Sequence, residues 1–145
     1  KGYVLFQKKC NACHTEPLFT NDAFMSNGLA LNDTLQDLGR GSLTHLKSDE
    51  RLFKVPSLRN VEMSFPYMHD GRFRTLQQVM NHYSSIQGNE ENISSPLNHS
   101  LNLTSNDKQD LIAFLLTLTD QPFLTRKEYQ FPQILQHEII QRSKP

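Results

Sequence analysis

The chain has no tryptophan and only two cysteines among its 145 residues. So few cysteines exclude a scaffold built on several disulfides, and they exclude a four-cysteine zinc site. Charge of one sign is missing as well. The 15 Lys and Arg are matched by 15 Asp and Glu, so there is no electrostatic case for nucleic acid or an anionic membrane as partner. Long apolar runs are absent too: the longest, Leu111-Ile112-Ala113-Phe114-Leu115-Leu116, is far too short to span a bilayer. What remains is a polar chain, 37% hydrophobic, whose length suits one domain with a modest core, or one domain and a tail.

The two cysteines that are present stand together, in Cys10-Asn11-Ala12-Cys13-His14. A Cys-x-x-Cys-His run reads as a c-type haem attachment site, in which both thiols become thioethers on the haem vinyl groups and the imidazole becomes the proximal iron ligand. Other readings of the pentapeptide fit less well. A thioredoxin-like pair needs a strand-to-helix junction, whereas residues 2–9 read as an amphipathic helix. A zinc site needs two further ligands at similar spacing. A disulfide across two residues inside a helix is sterically poor and leaves His14 without a role.

Haem attachment implies one covalent haem c and an all-α, cytochrome c-like domain with few helices and long loops wrapped around the porphyrin. The periodicity predicts a first helix over 2–12 that ends at the motif. Residues 15–50 read as a long loop with one short helix near 43–47. Thr75 to Gln78 fits a capping box, followed by a helix with Leu76, Val79, Met80 and Tyr83 on one face. Residues 84–103, rich in Asn and Ser, read as an exposed loop. Thr104 or Ser105 caps a last core helix, with Leu111, Ile112, Leu115, Leu118 and Thr119 as its buried stripe, which pairs with the first helix. Residues 1–120 are therefore expected to form the haem domain. Residues 121–145, with Pro122, Pro132 and Pro145, are expected to form an extension packed on the domain or on a partner.

The second axial ligand sets what a haem can do: methionine raises the potential, and tyrosinate favours oxidised iron. Met25, Met63, Met68, Met80, His69, His82 and Tyr83 are the candidates. Met80 reads as core filler, Met25 and Met63 as packing residues, and His82 as a solvated histidine. Met68, after a Pro-bearing loop and before the last helix, is the choice that the residues alone favour.

Three runs then carry a resemblance: Phe53-Lys54-Val55-Pro56-Ser57-Leu58-Arg59-Asn60-Val61, Pro66-Tyr67-Met68-His69-Asp70-Gly71-Arg72-Phe73, and Thr75-Leu76-Gln77-Gln78-Val79. With the haem motif before them and Leu111 to Leu115 after, they make residues 2–120 resemble the C-terminal haem domain of bacterial di-haem cytochrome c peroxidases and their MauG-like relatives. The resemblance implies that the distal ligand is Tyr83, fourteen positions after His69, as in MauG-like proteins, with Met68 as the alternative. It implies that Arg59 lies near the haem propionates, and that His69 and Asp70 sit in the turn facing a second haem domain. It also implies a calcium ion, held by backbone oxygens of Ser64 and Pro66 and by a side chain from the other domain, so that this chain alone binds calcium poorly.

The function so implied is a c-type electron-transfer domain of a periplasmic di-haem peroxidase or MauG-like oxidoreductase. It would relay electrons from a small donor protein to a second haem, outside this chain, that reduces hydrogen peroxide. The alternatives are a free-standing mono-haem electron carrier and a haem subunit of a larger assembly. Covalent haem attachment takes place outside the bacterial cytoplasmic membrane, so the expected location is the periplasm, with the targeting segment missing from the chain.

Overall fold

The computed structural model describes residues 1–86 and 92–129. Helices carry the architecture. In chain order they are α1 (Gly2–Lys9), α2 (Gly41–Thr44), α3 (Leu76–Ser85), α4 (Ser105–Leu116) and α5 (Gln121–Thr125), with short 3₁₀ turns between them. The all-α expectation holds in outline but missed a small antiparallel pair, β1 (Phe24–Met25) with β2 (Phe53–Lys54), in which Phe24 faces Lys54 and Met25 faces Phe53. Two-residue strands carry no readable alternation, which is why the sequence does not announce them.

α1 and α4 pack against each other at close range, as expected. A Cβ on Gly2 would lie 1.9 Å from the Asp110 carbonyl oxygen, so only glycine allows this approach. Phe6 and Leu111, each 1% exposed, form the centre of the core, and Val61, Leu76, Met80, Leu101, Leu103 and Leu115 close around them. The Phe6 ring meets Phe114 at 5.0 Å and Phe19 at 5.6 Å between centroids, which ties the loop after the haem motif to both helices.

The expected capping box at Thr75 forms, and the last core helix, capped by Thr104, has one as well. The Thr75 and Thr104 hydroxyls accept from the backbone N–H groups of Gln78 and Asp107, whose side chains accept in return from the two cap residues. Other boundaries differ. α1 stops at Lys9 rather than residue 12, because the N–H groups of Cys10 and Asn11 both bond to the Phe6 carbonyl and the chain then turns. α2 begins earlier than expected, at Gly41, where a Cβ would press on the Glu50 backbone at 2.7 Å. α4 ends at Leu116, so Leu118 and Thr119 lie past its end. The segment expected to be an exposed loop buries Ile86, Leu97, Leu101 and Leu103, and it contains a 3₁₀ turn over Ser95–Leu97. Its residues 87–91, and residues 130–145 of the expected extension, lie outside the described residues.

The long segment after the motif is ordered by its polar side chains. Asn21, Asn27, Asn32 and Asp37 each accept a hydrogen bond through the side chain from the backbone N–H two residues on, at 2.8–3.1 Å. These Asx turns stand in for regular structure and account for the Asn and Asp content of the segment.

Candidate haem site

The end of α1 presents the attachment motif. Cys13 and His14 both donate backbone N–H bonds to the Cys10 carbonyl, at 3.2 and 2.9 Å, which winds the motif into one compact turn. Both thiols are free and half-buried. Burial, with the neighbouring Cys13 adding to it and Lys9 opposing it, pushes the Cys10 thiol up to about 12, and burial raises Cys13 as well. In this environment the two groups are neutral thiols, inert toward each other until a reactive partner is supplied.

His14 is oriented by backbone. Its Nδ1 lies 3.0 Å from the Phe19 carbonyl oxygen. A carbonyl can only accept, so Nδ1 carries the proton and Nε2 keeps its lone pair. Burial lowers the pKa of the imidazole, while hydrogen bonds to the Phe19 and Pro56 carbonyls push the other way without reversing the shift. The neutral form, which is the metal-ligating one, is favoured. Phe19 reaches this position at φ 54°, a left-handed conformation uncommon for a bulky residue, and its ring is held between Phe6 and Phe114. Core packing thus aims a carbonyl at His14.

Tyr83 comes from the buried face of α3, three residues after Met80 and seven after Leu76. The end of this helix is secured from the next segment. Leu101 N–H donates to the Tyr83 carbonyl at 3.2 Å, and the Ser100 hydroxyl to that of Ser84 at 2.6 Å. Burial raises the Tyr83 phenol to about 12; a hydrogen bond from the Asn27 side chain lowers it, and the nearby Cys10 and Cys13 raise it again. Met68, at φ 71° in the tight turn closed by Gly71, places its sulfur 3.2 Å from Asn27 Nδ2.

The other candidates fall elsewhere. Met80 is core, as expected. Met63 is 54% exposed and is not among the residues packed on the core cluster. Met25 is half-buried in β1, its sulfur 3.7 Å from Asn21 Nδ2. His82 is not a solvated side chain: Nε2 bonds the Asn27 carbonyl at 2.9 Å, and burial lowers its pKa. His69 stacks on Phe53 with centroids 3.8 Å apart. Asp70 is buried beneath Arg72, whose guanidinium also donates to the Ala30 carbonyl at 2.8 Å. Arg59 is exposed, at the rim of an open cleft of about 380 Å³ that it shares with Phe19, Leu118 and Asp120. Ser64 and Pro66 lie on the turn that follows the 3₁₀ helix Val61–Met63. Among the described residues no group of three or more His, Cys, Asp or Glu side chains could hold a metal ion. Sequence reasoning missed Asn27 and Phe19, since nothing separates them from other loop residues in a single sequence.

The chemistry of the donor set fits a covalently attached haem: two neutral thiols on one turn, a neutral imidazole next to them, and a half-buried phenol packed on the same core cluster as Cys10. A bound ferric ion would reverse the electrostatics at Tyr83, because an adjacent cation favours phenolate over phenol.

No family model matches the chain. Curated proteins do. The methylamine utilization protein MauG of Methylorubrum extorquens is 38% identical over 127 residues, covering 84% of this chain and 35% of that protein. Cytochrome c551 peroxidase of Nitrosomonas europaea is 33% identical over 126 residues, covering 84% of this chain and 34% of the relative. Among solved structures, a MauG-like protein associated with microbial copper homeostasis matches with a TM-score of 0.76 and 28% identity, over 91% of this chain and 50% of that one. The chain spans about a third of the length of these curated relatives. By sequence and by fold, it is a homologue of part of MauG and of the bacterial cytochrome c peroxidases.

Proposed function

We propose that this chain is the electron-relay haem domain of a periplasmic di-haem oxidoreductase of the MauG and cytochrome c peroxidase kind. One haem is attached at Cys10 and Cys13, with His14 as proximal and Tyr83 as distal ligand, and Arg59 serves the propionate edge. The observation that supports this reading is that Tyr83 and Cys10 are both half-buried against the same core cluster, from α3 and from the turn after α1. A haem so held supplies one-electron chemistry at a potential lowered by the tyrosinate. The chain's own residues fix the imidazole through Phe19 and Pro56, keep the phenol out of bulk water, and hold Met68 beside Asn27. Electrons from a small donor protein pass to a second haem, outside this chain, where hydrogen peroxide is reduced. Calcium at the Ser64 and Pro66 carbonyls belongs to the same reading and needs a side chain from the second domain. The extension after Asp120 packs on the domain or on a partner.

One competing reading is a mono-haem carrier with Met68, whose sulfur lies 3.2 Å from Asn27 Nδ2, as distal ligand. The ferric absorption spectrum of the haem-loaded chain, with Tyr83→Phe alongside, separates the two. Tyrosinate ligation predicts no long-wavelength methionine-to-iron band and a spectrum that changes when the phenol is removed. A methionine band that persists in Tyr83→Phe makes the chain a conventional carrier.

A further inference from the structure

Residues 100–103 fasten the end of α1 to the end of α3. The carbonyls in the last turn of a helix have no partner within it, and two of those in α3 are taken by this segment. Leu101 N–H donates to the Tyr83 carbonyl at 3.2 Å, and the Ser100 hydroxyl, itself accepting from Asn102 N–H at 3.1 Å, donates to the Ser84 carbonyl at 2.6 Å. The Ser84 hydroxyl completes the join: it accepts from Leu103 N–H at 3.2 Å and donates to the Leu103 carbonyl at 3.3 Å. In the other direction, the Leu101 carbonyl accepts from Lys9 Nζ at 3.2 Å. Lys9 is the last residue of α1 and directly precedes Cys10. Leu101 therefore bonds to Tyr83 through its N–H and to Lys9 through its carbonyl. Its side chain, 7% exposed, belongs to the core cluster on which Cys10 and Tyr83 also pack.

A helix end that nothing fastens frays, and side chains of its last turn move with it. Tyr83 is the third residue from the end of α3, so its place relative to Cys10 depends on what holds that end. The left-handed glycine stop is not used here, since the residue after the helix is Ile86 at φ −55°. Thioether bonds fix a haem on its attachment turn, so a distal ligand reaches the iron only from one separation. We infer that residues 100–103 are a brace that sets the span between the attachment turn and Tyr83, with Lys9, Ser84 and Ser100 as positioning residues. The inference rests on the reading of Tyr83 as distal ligand.

The test compares Lys9→Met, which keeps the stem and removes the donor, with Lys9→Arg, which restores a donor, and adds Ser84→Ala and Ser100→Ala. Lys9 is exposed, so its variants leave the core untouched. In the haem-free chain, hydrogen exchange of the Leu101 amide should quicken about fivefold in Lys9→Met relative to that of Leu111 in α4, and stay near the parent rate in Lys9→Arg. In the haem-loaded chain, Lys9→Met, Ser84→Ala and Ser100→Ala should each weaken the tyrosinate features of the ferric absorption spectrum, and Lys9→Arg should keep them. A Lys9→Met chain that retains the spectrum of a tyrosinate-ligated parent overturns the inference, whatever its exchange rates, and leaves the assignment of Tyr83 standing. The inference is overturned equally if Leu101 and Leu111 quicken by one factor or not at all, or if Lys9→Arg behaves as Lys9→Met does. A parent whose ferric spectrum is unchanged by Tyr83→Phe overturns the assignment of Tyr83 itself and the inference with it.

Discussion

Cys10 shows what a single residue loses when its chemistry is left undone. In the haem-free chain its thiol is buried, with a pKa pushed from 9.0 to about 12, and Tyr83 is raised from 10.0 to about 12. Between these limits the unfolded chain releases protons that the folded chain retains, so stability is complete below the unfolded values and falls as pH rises through the window. Denaturant midpoints of the haem-free chain should therefore drop above pH 9.0, and Cys10→Ala should flatten the drop. A thioether has no proton to lose, so the haem-loaded chain should lack the Cys10 part. Equal slopes in the two forms would assign the effect to other groups. Asp70 has the opposite sign. Burial raises its carboxyl, but hydrogen bonds and charge from Arg72 outweigh this and hold it below 3.8. Arg72→Ala removes the hydrogen bonds that the half-buried Asp70 carboxylate accepts and should cost about 1 kcal/mol in urea unfolding at neutral pH. That gap should narrow as pH falls through the carboxylate range, where Asp70 in the variant takes up a proton.

At the scale of elements, the contact between α1 and α4 decides whether the attachment motif is held. Gly2→Ala would drive a methyl group into the Asp110 carbonyl and Phe114 and should lower stability by about 1–3 kcal/mol. Phe6→Ala should cost about 3–5 kcal/mol by opening a cavity under the motif. Thermal melts followed by helical circular dichroism check both, and a neutral Gly2→Ala would mean that α1 sits farther from α4 than described. The capping box at Thr75, the cap at Thr104 and the apolar face of α3 were legible in the sequence because each rests on near-neighbour spacing. The sheet, the end of α1 and the burial of Leu97, Leu101 and Leu103 were not. They depend on partners distant in the chain, such as Lys54 opposite Phe24, or Leu101 N–H on the Tyr83 carbonyl.

For the molecule as a whole, the proposed division of labour predicts activity that this chain alone cannot complete. The haem-loaded chain should exchange electrons readily with a small redox protein, while its steady-state reduction of hydrogen peroxide stays near that of free haem. Efficient peroxide turnover by the chain alone would show that it needs no second haem. No helix among the described residues is long and apolar enough to cross a membrane.

The sequence by itself determined the candidate haem-attachment motif, because Cys-x-x-Cys-His places all three groups on one turn whatever surrounds it. It determined the starts of α1, α3 and α4 for the same local reason. Tertiary structure decided what holds those groups. Phe19, packed against Phe6 and Phe114, turns its carbonyl to His14, and Asn27, fixed through Leu29 and His82, brings its amide to the Met68 sulfur. Neither arrangement has a spacing in the chain to betray it. Both arise only when segments far apart in sequence are packed into one core.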